Sequence, residues 1–439
     1  MKNKVPYFFL GLAAALAIAA FALLLLKIRE TGRQQSQQVS TSTAIEAKTP
    51  PLIPGNNTPL SNESTEEILK NLGIGLSASD PAELLTRIGA ALEKGDIAAV
   101  SKIIGKDALD AVSLENLRNL TKAHPLTLRR PDGVREVGEL ELNRLTRWAI
   151  ELEETDDGGS RIFFDLRKKG GQWFIEKMML PSAPGEPIPK AMLADSLGVA
   201  DAFLQAILKE DFEFALQFAD LKVVSEAKIA TLCILFEEGE YRLRSQKPLR
   251  SMFKREDTVG YLANVETKDG KQSAQFSMNL RQPAAPANWI VSEINLDALL
   301  ADYANRVAGG DVYYSPLVKN PAGGETLALY FEFDEDSMSA RTRRQLEIVA
   351  LMLKSDAGKK ITVSGHTDAL GTADYNAKLS ENRADTVRSF LASKGVSANQ
   401  IVTLAEGASQ PRRPNFTESG ADDPDGRRAN RRTEIYLDF

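Results

Sequence analysis

An aspartate and an arginine, fifteen positions apart, form the pair in this sequence with the most specific chemistry. The stretch from Gly365 to Arg383 reads G-H-T-D-A-L-G-T-A-D-Y-N-A-K-L-S-E-N-R, with Asp368 near its start. A carboxylate binds an ammonium group, and a guanidinium binds a carboxylate through two parallel hydrogen bonds. The two side chains together therefore suit a zwitterionic ligand.

A strand and a helix must position this pair. Residues 360–364 are typical of a short buried strand that ends in a glycine turn, and Gly395 is the predicted C-terminal stop of the following helix. Apolar residues recur at helical spacing along that helix, at Leu379, Ala384, Val387, Phe390 and Leu391. The loop that carries Asp368 then lies between the end of a strand and the start of a helix, which brings Asp368 and Arg383 to one concave spot.

This stretch resembles the peptidoglycan-binding signature of the OmpA C-terminal domain family, to which Pal and MotB also belong. The resemblance covers residues 325–439. It also rests on Y-F-E-F-D at 330–334 and on N-R-R-T-E-I at 430–435, in the order that the family has them. One departure is A-E-G-A at 405–408, where many members have an aromatic G-Y-G-E, so the rim of the groove differs from theirs.

The resemblance implies a function for each residue of the motif. In the family, the two charged residues hold the diaminopimelate of the cell-wall stem peptide, and they correspond to Asp368 and Arg383, with Thr367 beside the acid. The pair Phe333 and Asp334 ends a strand and lines the groove in Pal-like members. The implied fold is a βαβαββ sandwich, with helices on one mixed sheet.

Three further residues of the predicted site have two possible functions each. Asn376 either caps the loop or contacts the ligand. Leu379 packs on the methylenes of the ligand or lies in the core. Arg431 binds the ligand or supports the edge of the sheet.

Composition excludes several other classes of function. The chain has 439 residues, enough for about three domains, and a net charge of −6 without the basic face that a nucleic-acid partner needs. With two histidines and one cysteine, a zinc site is not expected, and no catalytic residue or cofactor is predicted. Cys233 lies within an apolar run and is predicted to be a buried thiol.

The N-terminal segment, residues 1–29, is predicted to be a membrane anchor. Residues 5–26 carry no charge, and a helix of this length spans about 33 Å, against about 30 Å for the hydrocarbon core. A cleaved signal peptide is the alternative. A stator of the MotB type needs a carboxylate within its span, and its absence here argues against that function. Residues 30–78, rich in polar residues and proline, are predicted to be a disordered linker.

The middle of the chain contains an apparent duplication, residues 79–190 and residues 191–304. A K-G-D turn at 94–96 recurs 115 positions later as K-E-D at 209–211. Trp173 recurs 116 positions later as Trp289, so the two offsets are nearly equal. The order of helices followed by strands resembles the α+β cone of the nuclear transport factor/ketosteroid isomerase superfamily. Residues 305–324, rich in glycine and proline, are predicted to be a second linker before the C-terminal domain, 325–439. Within that domain, residues 412–428 are predicted to be a solvated polar loop, with an additional contact to glycan as the alternative.

The predicted fold class is therefore α+β, and the predicted protein is a non-catalytic tether between membrane and cell wall. The partners we expect are peptidoglycan, the membrane through the N-terminal helix, and other envelope proteins through the middle domains, with no nucleic acid. We expect a single-pass inner membrane protein with its bulk in the periplasm. The alternatives are a wall-binding subunit of an envelope motor or transport complex, and an enzyme or ligand binder that acts through the duplicated domains.

We predict that the N-terminal anchor is retained in the mature protein. The apolar run continues through Leu26, so cleavage after Ala20 or Ala22 would leave part of it attached. N-terminal sequencing of the protein from a membrane fraction should find residues that precede Ala20. A mature protein that starts near Leu23 would contradict this topology.

Overall fold

The computed structural model describes residues 75–437, apart from 124–125, 132, 154–160, 182–187, 285–286, 307–315, 320–324, 332–337 and 339. The predicted anchor, residues 1–29, and most of the predicted linker, 30–78, lie outside this part of the chain. None of the helices described in it has the length and apolar character needed to cross a membrane. The described residues form three five-stranded sheets with helices packed on them, which confirms the α+β class.

The first unit extends from residue 77 to residue 179 and places its helices before its main strands. Its helices are α1 (Pro81–Glu93), α2 (Ile97–Ile104) and α3 (Ala111–Ala123). Its strands are β1 (Ser77–Ala78), β2 (Val134–Glu141), β3 (Leu145–Glu151), β4 (Arg161–Lys169) and β5 (Gln172–Met179). The sheet has the order β1-β5-β4-β3-β2 with antiparallel pairs throughout.

The second unit, residues 190 to 306, repeats the order of helices followed by strands. Its helices are α4 (Lys190–Leu193), α5 (Ser196–Leu208), α6 (Phe212–Leu216), α7 (Glu226–Glu238) and α8 (Asp297–Arg306). Its strands are β6 (Tyr241–Leu243), β7 (Leu249–Lys254), β8 (Thr258–Thr267), β9 (Ser273–Arg281) and β10 (Ile290–Asn295). The sheet runs β10-β9-β8-β6, and β7 also pairs with β8. Cys233 is buried in α7, as predicted.

Helix starts in the two units fall at matching positions, 115 residues apart. The side chain of Asp80 accepts a hydrogen bond from the N–H of Ala82 at the start of α1, and Asp195 accepts one from Gly198 at the start of α5. Asp96 caps α2 and Asp211 caps α6 in the same way. An N-cap acid satisfies a free N–H group of the first turn, so these positions determine where each helix begins.

The C-terminal unit, residues 317 to 437, is a mixed sheet with helices. Its strands are β11 (Leu317–Lys319), β12 (Glu325–Phe331), β13 (Ile361–His366), β14 (Ile401–Gly407) and β15 (Thr433–Leu437). Its helices are α9 (Ala340–Ser355), α10 (Ala373–Ser393) and α11 (Pro424–Asn430). The order is β11-β12-β15-β13-β14, and β13 and β14 are parallel because α10 connects them.

Two stretches of this unit differ from the prediction. Residues 317–319, inside the predicted linker 305–324, form β11, which pairs with the first residues of β12 and extends the sheet. Residues 424–430, inside and just beyond the predicted polar loop 412–428, form α11. Asp423 caps this helix by accepting a hydrogen bond from the N–H of Gly426, and Pro424 occupies its first turn, where its missing N–H has no cost.

A buried arginine joins the first and second units. Arg147 on β3 donates hydrogen bonds to Asp165 on β4 and to Asp195, the residue that caps α5. Burial would lower the pKa of the Arg147 guanidinium, but the two carboxylates raise it above its usual value. Gly138 on β2 lies so close to β7 that a Cβ atom there would be 2.6 Å from the carbonyl oxygen of Leu249. The joint is therefore close-packed and charged.

Helix α7 joins the second unit to the C-terminal unit, where it packs against β12 and α9. Its Glu226 accepts hydrogen bonds of 2.7 and 2.8 Å from Lys359, and its Glu237 pairs with Arg344 of α9. One continuous cluster of buried apolar side chains includes residues of both units. The two units thus share a core as well as ion pairs.

We predict that Arg147→Ala strongly destabilises the protein. The substitution leaves Asp165 buried without its partner, and removing one member of a buried ion pair costs about 3–5 kcal/mol. Urea denaturation followed by tryptophan fluorescence would measure this cost. The matched control is Arg118→Ala, which removes an exposed pair with Glu115 on α3 and should cost less than about 1 kcal/mol. Equal losses in the two variants would contradict a structural function for the buried pair.

Candidate functional site

The carboxyl end of β13 lies against α10 because Gly365 has no side chain. A Cβ atom at this position would be 2.0 Å from the carbonyl oxygen of Ser380, in the middle of the helix. The hydroxyl of Ser380 in turn accepts a hydrogen bond of 3.1 Å from the N–H of Gly407, at the end of β14. The helix therefore lies directly over the ends of two neighbouring strands.

The loop between β13 and α10 is held by its own polar side chains. Thr372 caps α10 by accepting a hydrogen bond of 3.2 Å from the N–H of Tyr375, and Gly371 adopts a φ of 98°, which favours glycine. The buried side chain of Asn376 donates to the carbonyl oxygen of Asp368 at 3.3 Å. This hydrogen bond is the contact that the capping prediction requires, and a contact between Asn376 and a ligand stays a prediction.

Asp368 is buried, with an exposure of 7%, and its carboxylate has three partners. Oδ1 accepts a hydrogen bond of 3.1 Å from the N–H of Leu370. Oδ2 accepts bonds from two guanidinium groups, Nη1 of Arg431 at 2.9 Å and Nη1 of Arg427 at 3.5 Å. A buried carboxylate needs such partners, because an unpaired buried charge is very costly.

Arg383 projects from α10 to the same place and is 8% exposed. Its Nη1 donates a hydrogen bond of 2.7 Å to the carbonyl oxygen of His366, at the end of β13. Burial, and then the like charge of Arg431, lower the pKa of the Arg383 guanidinium, while Asp368 raises it. Among the described residues, no carboxylate forms an ion pair with Arg383. The carboxylate of a ligand can therefore take this place.

The site contains more positive than negative charge. Arg383, Arg427 and Arg431 surround the single carboxylate of Asp368. Asp422 compensates only one of them, because it holds Arg427 through bonds of 2.7 and 2.8 Å and raises the pKa of that guanidinium. The arrangement can therefore bind an anionic group strongly, whereas an ammonium group has to share Asp368 with arginines that already contact it.

The other residues of the predicted site differ in whether they contact Asp368. Thr367 is buried beside Asp368; its N–H donates to the carbonyl of Gly407 at 2.8 Å, and its hydroxyl has no partner in the described chain. Leu379 is half-buried, so neither of its alternatives is decided. Arg431 contacts Asp368 directly, and both of its predicted functions stay predictions. Phe333 and Asp334 lie outside the described residues.

Sequence reasoning missed Arg427 and the segment that supports it. Residues 412–428 were interpreted as a solvated loop, but their helix α11 directs Arg427 towards Asp368. The buried Asn430 accepts hydrogen bonds from the N–H groups of Arg412 and Arg413, at 2.6 and 3.1 Å, which ties the loop to the end of α11. The D-P-D-G at 423–426 is a signal for a helix start, an acid followed by a proline, and could have revealed α11.

The chain resembles envelope proteins over this part of its length. Residues 330–423 match the OmpA family. Outer membrane protein A of Bordetella avium is 38% identical over 108 residues, which are 25% of this chain and 53% of that protein. The peptidoglycan-associated lipoprotein of Buchnera aphidicola subsp. Baizongia pistaciae is 40% identical over 83 residues, 19% of this chain and 48% of that protein. The chain thus spans about half the length of these curated relatives.

A solved structure is similar to part of the chain at lower identity. The periplasmic domain of Helicobacter pylori MotB is 26% identical to the chain, with a TM-score of 0.23. The match covers 28% of this chain and 86% of that one. By their names, the two curated relatives are an outer membrane protein and a lipoprotein that is associated with peptidoglycan.

We predict that Glu434, on β15 behind the site, makes folding stability dependent on acid pH. Burial would raise the pKa of this carboxyl, but His366 and Arg432 lower it from 4.5 to about 2. The pKa of Glu434 is lower in the folded state than in the unfolded state. Its contribution to the free energy of unfolding is therefore complete above about pH 5 and is lost as the pH falls towards 2. The shift corresponds to about 3 kcal/mol at most.

The measurement is the free energy of unfolding in urea at pH 7, 5 and 3. Glu434→Gln should be less stable than the wild type at pH 7, and the difference should shrink at pH 3. Glu381→Gln on the exposed face of α10 is the matched control and should leave the pH dependence unchanged. A difference between Glu434→Gln and wild type that stays constant with pH would contradict the assignment.

Proposed function

We propose that this protein, whose residues 330–423 form an OmpA family domain, binds peptidoglycan non-covalently through the diaminopimelate of its stem peptide. One observation carries the proposal: Asp368 and Arg383 are both buried at the same end of β13, one on the loop and one on the facing helix. Buried charged groups that converge on one place, outside the apolar core, are typical of a site for a charged ligand. The function proposed is binding, without catalysis.

In this proposal the carboxylate of the ligand binds the guanidinium groups. Arg383 is fixed by its bond to the carbonyl of His366, so little side-chain entropy is lost when it binds. Arg431 is 38% exposed and can reach the same carboxylate from the other side. The fork of an arginine matches a carboxylate with two hydrogen bonds, which gives this half of the site its specificity.

The ammonium group of the ligand binds Asp368 in competition with the protein's own arginines. In the free protein Arg431 and Arg427 neutralise Asp368, so the empty site is stable. When the ligand carboxylate draws Arg431 towards itself, Oδ2 of Asp368 becomes accessible to the ammonium. We therefore infer that the two charged groups of the ligand bind together, and that a ligand with only an ammonium group binds weakly.

The remaining parts of the chain tether this domain. We propose that residues 1–29 anchor it in the inner membrane as a single span, that 30–78 form a linker, and that the bulk lies in the periplasm. We also propose that 79–190 and 191–304 are two copies of one cone-like α+β fold. Two observations support this: the matching helix caps at Asp80 and Asp195, and the common order of four strands, β5-β4-β3-β2 in the first unit and β10-β9-β8-β7 in the second. These domains offer surfaces for other envelope proteins.

We predict that Asp368→Ala and Arg383→Ala each abolish binding to purified sacculi. Truncating one partner of a desolvated charge pair costs about 2–5 kcal/mol. This corresponds to a loss of affinity of roughly thirtyfold to several thousandfold. Arg383→Lys should also weaken binding, because a point charge cannot form the two-pronged contact. Sacculi with amidated diaminopimelate should bind less of the wild type, since they lack the free carboxylate.

Co-sedimentation of the protein with sacculi would measure the binding. Asp385→Ala and Arg388→Ala are matched controls, because both residues are exposed on the same helix α10 and should leave binding unchanged. Thermal unfolding establishes that the site variants are folded. Undiminished binding by a folded Asp368→Ala, Arg383→Ala double variant would show that the wall site lies elsewhere.

A further inference from the structure

Two arginines at the end of α11 contact the carboxylate of Asp368, but they are held in different ways. Nη1 of Arg431 donates a hydrogen bond of 2.9 Å to Oδ2 of Asp368, and Nη1 of Arg427 donates one of 3.5 Å to the same oxygen. The two arginines are four positions apart, so their side chains lie on the same side of the helix. A ligand group that binds Oδ2 therefore meets both of them.

Arg427 is fixed by a second carboxylate. Its Nε and Nη2 donate hydrogen bonds of 2.7 and 2.8 Å to the two oxygens of Asp422. This is the two-pronged contact of an arginine with a carboxylate, which holds the guanidinium in one orientation. The third nitrogen, Nη1, points at Asp368, and the side chain is 18% exposed. Arg427 therefore cannot follow the carboxylate of a ligand without breaking its pair with Asp422.

Arg431 is held by one contact instead of two. Among the described residues its only ion pair is with Asp368, and its side chain is 38% exposed. An exposed arginine with a single contact can change its rotamer easily. Arg431 can thus turn towards the carboxylate of a ligand, whereas Arg427 stays beside Asp368.

Helix α11 is tied to the loop of Asp368 before any ligand binds. The N–H of Ala369 donates a hydrogen bond of 3.2 Å to Oδ1 of Asn415, just before the helix. The side-chain amide of Asn430, the last residue of α11, donates one of 3.0 Å to the same oxygen and is fully buried. The distance between the helix and Asp368 is therefore set by these hydrogen bonds and does not depend on the ligand.

A positive charge that stays beside Asp368 opposes the binding of an ammonium group. Nη1 of Arg427 is 3.5 Å from Oδ2, and an ammonium bound to the same oxygen at about 2.8 Å lies within about 6 Å of that nitrogen. Repulsion between two like charges at this distance in a partly buried site weakens binding by about tenfold or more. The carboxylate of a zwitterion compensates this repulsion, because it lies beside the ammonium and is attracted by the arginines.

We propose that Arg427 is a specificity-determining residue, which makes the site accept a zwitterionic centre and reject an amine that lacks the carboxylate. Asp422 acts as its positioning residue, because it keeps the guanidinium at the edge of hydrogen-bonding distance from Asp368. Without Asp422, the guanidinium is free to bind Asp368 with two hydrogen bonds and to cover it. The inference rests on the proposed function, since it concerns the selectivity of the same site between free and amidated diaminopimelate.

The test uses the full chain in detergent micelles and two free stem tetrapeptides. Both contain diaminopimelate, one with its free carboxylate and one with that carboxylate amidated. Isothermal titration calorimetry measures the two dissociation constants, and their ratio is the selectivity of the site. Thermal unfolding establishes that each variant is folded.

Arg427→Gln should lower the selectivity by about fivefold or more, mainly because the amidated peptide binds more tightly once the repulsion is removed. Arg427→Lys keeps the positive charge and should retain most of the selectivity. Arg388→Gln makes the same change of charge on the exposed face of α10 and should leave both dissociation constants unchanged. Tighter binding after the loss of a cation is a result that a purely structural function of Arg427 does not produce.

Asp422→Asn tests the positioning of Arg427. In the wild-type background it should weaken binding of the free-carboxylate peptide by about threefold or more, because the released guanidinium covers Asp368. In the Arg427→Gln background the same substitution should have little effect, since no guanidinium is left to release. This double-mutant cycle measures the coupling between the two residues. Equal effects of Asp422→Asn in both backgrounds overturn the positioning function.

The outcomes separate this inference from the proposed function. If the wild type binds the free-carboxylate peptide and the Asp368→Ala, Arg383→Ala double variant does not, an unchanged selectivity in folded Arg427→Gln overturns the inference alone. If the wild type binds neither peptide, the proposed function fails and the inference fails with it. If Arg427→Gln does not fold, the single variant Asp422→Asn decides, and undiminished binding by it overturns the inference.

Discussion

The close contact between Gly365 and Ser380 is the constraint on which the site depends. Because a Cβ atom would lie 2.0 Å from the carbonyl of Ser380, only glycine lets α10 approach the end of β13 this closely. That approach brings Arg383, one turn beyond Ser380, to the carbonyl of His366 at the end of β13. Asp368 lies on the loop that follows the same strand. Backbone packing therefore sets the distance between acid and guanidinium before any ligand is present.

The site has more arginines than carboxylates, which explains how it can be stable when empty and still attract an anion. Asp368 is buried, yet it is not unpaired, because Arg431 and Arg427 contact it. The cost of burying charge is then borne mainly by Arg383, whose pKa is lowered by burial and by Arg431. In the proposed complex a ligand carboxylate would relieve that repulsion, so part of the binding energy would come from a charge imbalance that is already present in the free protein.

The sequence predicts the centre of the site because strand, loop and helix are contiguous in the chain. Asp368 and Arg383 are fifteen residues apart, and the pattern of apolar positions alone indicates that they meet. Arg427 lies 59 positions from Asp368, and no local pattern encodes that contact. Likewise β11 was interpreted as linker, since pairing of Leu317 with Leu327 follows from the sheet and not from three residues of sequence.

The packing of α7 also holds the strand that carries the proposed wall site. Lys359 lies just before β13, and it is bound to Glu226 of the second unit. Strand β13 is itself paired on both sides, with β14 and β15. Strand β13 ends at the loop that carries Asp368, and its sheet is attached to α7 through ion pairs and a shared core. Movement of the proposed wall site relative to the second unit therefore requires breaking these contacts.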